Sequence, residues 1–152
     1  MQFLFILLFF VLQSTLFSAW LFKPDLFLLI LVLAAAGRGL HRGLLWGLGL
    51  GFFMDVFSAS YYLHVFIYGI LGLLLGLIPV GYFRSYRWFA VTSILTATIL
   101  GQLFYGILST LIYQLDPGFN FFGTLFLLTL NFILAYLLAE PLARFFGVNV
   151  KT

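Results

Sequence analysis

Residues Gly39–Asp55 read GLHRGLLWGLGLGFFMD, and the rest of the chain is best understood outward from them. Gly39, Gly43, Gly47 and Gly51 recur at every fourth position, and Asp55 continues the spacing. On an α-helix each four-residue step overshoots a full turn by about 40°, so Gly47, Gly51 and Asp55 share an arc of about 80°. In water such a density of glycine counts against a helix. In lipid it makes a smooth groove that another backbone can approach closely. The stretch therefore predicts a membrane helix built for tight packing.

Composition points the same way. Of 152 residues, 64% are hydrophobic and 7% charged, where soluble domains carry about 25% charged residues. A soluble domain of this size would expose large apolar patches. The expected class is an all-α integral membrane protein, one polytopic domain over residues 1–152. The net charge of +3 does not suggest a nucleic-acid partner, because the basic residues sit in small groups at segment ends, which is a topology signal. With no cysteine there is no disulfide framework and no thiolate chemistry.

Six crossings are predicted. Phe3–Phe22 is long enough for one, and it lacks the basic n-region and small-residue cleavage site of a signal peptide, so it reads as the first helix. Lys23-Pro24-Asp25 ends it. Pro24 can start the next helix, with Asp25 in its first turn, where the free N–H groups favour an anion. Leu26–Ala36 and Gly43–Phe57 are both short for a full crossing and form either two brief helices or a hairpin that does not cross completely. Ser58-Ala59-Ser60 is a small polar turn. Tyr61–Val80 follows, with a second small-residue face at Gly69, Gly72 and Gly76. Gly81–Arg87 is a polar connection, Trp88–Tyr113 a long crossing, and Gln114–Asn120 a turn by its Asp-Pro-Gly content. Phe121–Glu140 is the last crossing.

With the N-terminus inside, the inner connections and C-terminal end hold Arg38, Arg42, Arg84, Arg87, Arg144 and Lys151, six of the seven basic residues. The outer connections hold only Lys23. The bias supports an even number of crossings with both termini cytoplasmic.

Asp55 has two readings. Either it caps a neighbouring segment or anchors a contact between subunits, or it is an interfacial aspartate that starts the Ser58–Ser60 turn. Gln13, Gln102 and Asn131 lie within helices and are expected to hydrogen-bond in the core. Glu140 and Arg144, four apart, are placed to pair on one helix. Neither His41 nor His64 has partners at metal-ligand spacing, so no metal or cofactor site is expected. No nucleophile–base arrangement or paired carboxylates can be assigned, which argues against an enzyme. Neutral amides and aromatics could still line a pocket for a small solute.

Taken in order, Leu12-Gln13, Lys23-Pro24-Asp25-Leu26, Gly43…Gly47…Gly51-Phe52 with Asp55, and more loosely Tyr68-Gly69 to Gly72, resemble the bacterial rod shape-determining protein family MreD. The likeness in order and spacing runs through about Gly76. Leu63-His64 stands where family members commonly carry a leucine-glycine step. The resemblance implies a non-catalytic inner-membrane scaffold of the elongasome, needed for rod shape and lateral peptidoglycan synthesis. It also implies direct association with MreC, and work alongside MreB, RodA and its transpeptidase partner. It further implies a fold related to the substrate-binding membrane subunits of energy-coupling-factor transporters, so a vitamin-binding subunit is the alternative. On this reading Gln13, Pro24, Asp25, Gly43, Gly47, Gly51, Asp55, Gly69, Gly72 and Gly76 are the candidates for helix packing or partner binding.

Overall fold

The structure, a computed structural model, describes residues 7–8, 11, 25–35, 38–58, 63–78, 85–114 and 121–145. These form five helices and no strand: α1 (Leu26–Ala35), α2 (Leu40–Ser58), α3 (Leu63–Leu77), α4 (Tyr86–Tyr113) and α5 (Phe121–Phe145). Of the expected first crossing, Phe3–Phe22, only Leu7, Leu8 and Val11 are described. Segments within α4 and α5, Tyr86–Ile112 and Phe121–Arg144, are long and apolar enough to cross a membrane.

α1 is the centre of the bundle. Its sequence LFLLILVLAA is apolar on every side, the composition of a helix with no solvent-facing stripe. No residue in it is more than 4% exposed, and it packs against each of the other four helices. At ten residues it is about 15 Å long, well short of the hydrocarbon thickness of about 30 Å.

α2 and α3 are the most closely packed pair. A Cβ placed on Gly43 or Gly47 would collide with the backbone carbonyls of Gly72 and Tyr68, and one on Gly51 would lie 2.7 Å from the Val65 Cα. From the other side, a Cβ on Gly72 would meet the Gly43 carbonyl, and one on Gly76 would lie 2.7 Å from the Gly39 oxygen. The two predicted small-residue faces are therefore each other's partners within one chain, running antiparallel from Gly43 against Gly72 to Gly51 against His64. Gly39 sits at φ +89°, a conformation only glycine adopts without strain, and there the chain turns into α2.

α4 and α5 pack against each other and against α1, and α4 also meets α3. α5 presents Asn131, Ala135, Ala139 and Ala143, all fully buried and four residues apart. This is a second fourfold ladder, and alanine gives no sign of it within an apolar run. α4 begins two residues before the expected Trp88: the Ser85 hydroxyl caps it by accepting the Trp88 N–H, and Gln114 ends it in the left-handed region. α5 does not stop at Glu140 as expected but runs through Pro141 to Phe145. The pairing expected within α5 is also different. Glu140 accepts a 2.9 Å hydrogen bond from Arg87 of α4, whose guanidinium lies over the Tyr136 ring at 4.9 Å. The carboxylate ties two helices together instead of reaching along its own.

Candidate functional site

Asp25, Tyr68, Thr98 and Asn131 converge where α1 begins. Asp25 precedes the helix and caps it: its Oδ1 accepts the Leu28 N–H at 2.9 Å. One of the four free N–H groups at the helix start is satisfied in this way. The other carboxylate oxygen accepts the Tyr68 hydroxyl of α3 at 2.5 Å. The Asp25 N–H donates to Asn131 Oδ1 of α5 at 3.0 Å. Asn131 in turn donates from Nδ2 to Thr98 Oγ1 of α4 at 2.9 Å, and Thr98 donates to the Ile94 carbonyl at 2.7 Å. Four helices meet in one continuous chain of hydrogen bonds. Tyr68, Thr98 and Asn131 are all under 5% exposed. Asn131 lies about 15 Å along α5 from Phe121, so the cap of α1 sits partway down the bundle.

Asp55 does the same for α3. It accepts the His64 N–H at 3.1 Å and the Val65 N–H at 2.8 Å, and His64 Nδ1 lies 2.9 Å from its Oδ1. An ionised carboxylate only accepts, so Nδ1 carries the hydrogen. The Asp55 side chain is 2% exposed and that of His64 22%. Of the two readings of Asp55, the geometry is that of a cap on a neighbouring helix. The glycine spacing accounts for it: the ladder that lets α2 touch α3 along Gly43, Gly47 and Gly51 delivers the next residue on that face to the start of α3.

Between these caps lies a cavity of about 80 Å³ lined by Asp25, His64, Tyr68, Thr98, Asn131 and Gln102, with Tyr105 and several aliphatic side chains completing the wall. His64 packs edge-on to Tyr68 and lies 6.4 Å from the Tyr105 ring centroid. Gln102 was expected in the core; it is exposed and borders the cavity instead.

Of the sequence candidates, Asp25 and Asp55 are the two caps, and Gly43, Gly47, Gly51, Gly72 and Gly76 form the α2–α3 seam. Gly69 stands slightly apart, facing the Leu48 side chain at 3.0 Å. Gln13 and Pro24 lie outside the described residues. Tyr68 and Thr98 were missed as polar partners. Tyr68 reads as one more aromatic in an apolar helix, and only its position one turn beyond His64, on the glycine side of α3, hints at its role. Among the described residues no group of three His, Cys, Asp or Glu could hold a metal ion. Comparison with known protein families, curated proteins and solved structures finds nothing that matches this chain.

Proposed function

We propose that the chain is a non-catalytic membrane scaffold of the MreD type. In this reading it crosses the bacterial inner membrane six times with both ends in the cytoplasm, and it holds MreC within the elongasome beside MreB, RodA and the transpeptidase partner. The observation that carries the proposal is the use of the glycine faces. They pack against each other inside the chain; Asp55 of α2 caps α3 within that pair, and Asp25 ties α3 to α1 and α5, with α4 joined through Asn131 and Thr98. Part of the lateral surface of this body is the apolar flank of α4 and α5. Leu103, Leu111, Phe122, Leu125 and Leu137 there are each at least half exposed. Lipid tails and the membrane helix of a partner are the natural neighbours of that flank.

The vitamin-binding alternative is the weaker reading. Pockets for molecules of that size are about 300 Å³ or more; the cavity under α1 has about 80 Å³, and an apolar one between α3 and α4 about 150 Å³. Expression of the chain in a rod-shaped bacterium depleted of its own MreD tests the proposal. Recovery of rod shape is expected. Persistently round cells despite correct membrane insertion would refute it.

A further inference from the structure

We infer that the cavity beneath Asp25 is a binding site for a small ammonium group. The donors and acceptors around it are unevenly disposed. Asp25 has about four lone-pair positions on its carboxylate; the Phe27 and Leu28 N–H groups and the Tyr68 hydroxyl each take one, which leaves one. The Tyr68 hydrogen is committed to Asp25, so toward the cavity that hydroxyl can only accept. Asn131 Oδ1 and Thr98 Oγ1 are engaged with each other's network and with backbone. The wall thus offers a carboxylate and the Tyr68 oxygen as acceptors beside the amides of Gln102 and Asn131, and among the described residues no lysine or arginine lines it.

The remaining wall is aromatic. His64, Tyr68 and Tyr105 surround the space, and aromatic faces attract organic cations. A bare divalent metal is a poorer fit, since it needs six or more oxygens and no acidic cluster of that kind is present among the described residues. Size sets the rest. A cavity of about 80 Å³ holds a few water-sized groups, room for an ammonium and its first carbons. Access is available at the edge of the cavity, where Gln102 is exposed and Tyr105 is 39% exposed. Such a group is found both on free amines and on the headgroup of phosphatidylethanolamine.

Two arms separate these sources. In dodecyl maltoside micelles, ethanolamine is titrated against the full chain and thermal unfolding is followed by tryptophan fluorescence, with ethylene glycol as the uncharged control. In phosphatidylglycerol nanodiscs with and without phosphatidylethanolamine, native mass spectrometry reads which lipid stays bound. Saturable stabilisation by ethanolamine, or selective retention of phosphatidylethanolamine, is expected, and the arm that responds identifies the source. Two variants locate the site. Asp25→Asn removes the charge. Gly101→Leu fills the space, because a Cβ there meets only Leu71 at 3.6 Å and Ile67 at 3.9 Å and disturbs no hydrogen bond named above. Each should weaken binding at least tenfold, as expected for loss of contacts to a charged group. If Asp25→Asn fails to fold, Gly101→Leu decides alone. No response in either arm, an equal response to ethylene glycol, or undiminished binding by Gly101→Leu would overturn the inference.

Discussion

Replacing Gly47 by alanine, with Gly49→Ala as its pair, isolates the energetic role of the seam between α2 and α3. The two glycines lie on one helix two residues apart and differ in surroundings. A Cβ at position 47 would sit 2.8 Å from the Tyr68 carbonyl carbon and 3.0 Å from the Gly69 Cα, whereas nothing lies within 4 Å of one at position 49. Both changes gain about 1 kcal/mol of helix propensity. Only Gly47→Ala forces two backbones apart, toward the 3.5 Å or so at which atoms attract each other best. Opening a packed seam by even 0.5–1 Å forfeits about a quarter to a half of each contact's attraction, and overpacking of this kind costs about 1–3 kcal/mol. The propensity gain is common to both variants and cancels between them. Gly47→Ala should therefore lie about 2–3 kcal/mol below Gly49→Ala, since loss of the cap geometry at Asp55 adds to the overpacking cost. At about 2–4 °C per kcal/mol for a chain of this length, that is a gap of about 4–12 °C in Tm. Thermal unfolding in detergent, read by tryptophan fluorescence, measures it. Equal midpoints, or a more stable Gly47→Ala, would refute the seam.

Further expectations test the caps and the ties. Gly51→Leu should lower Tm more than Phe52→Leu, because Gly51 faces the α3 backbone while Phe52 is 56% exposed. Asp55→Ala should cost about 2–4 kcal/mol, the value of a cap plus two orphaned N–H groups; a change below 1 kcal/mol in thermal or denaturant unfolding would show that the His64 and Val65 N–H groups do not depend on it. Tyr68→Phe should cost about 1.5–3 kcal/mol as a lost hydrogen bond to a carboxylate, and in an Asp25→Asn background its effect should shrink, which a double-mutant cycle reads directly. Arg87→Ala and Glu140→Ala should each lower Tm less than Gly47→Ala, because both side chains are about a third exposed and surface ion pairs contribute little.

Much of this arrangement could be read from the residues alone, for reasons that differ element by element. The fourfold ladder from Gly39 to Asp55 is a one-dimensional signal and predicts a packing face directly. The second face at Gly69, Gly72 and Gly76 is equally visible. Their mutual pairing is not, since periodicity says that a groove exists and not which backbone fills it. Asp25 was legible as the start of a helix because Pro-Asp before an apolar run is a local signature. Its bonds to Tyr68 and Asn131, 43 and 106 positions away, have no local trace. Glu140 shows the converse error. The i, i+4 rule offers Arg144, but the interhelical Arg87 takes the carboxylate. Ser85 sits in a polar connection that hides its role, although serine before a helical run is a common cap.

The scaffold proposal is tested most directly by reconstituting the purified chain with MreC in nanodiscs and weighing the assembly by native mass spectrometry. A stoichiometric complex with MreC and no tightly held vitamin is predicted. Recovery of the chain without MreC but with a vitamin bound one to one would contradict it.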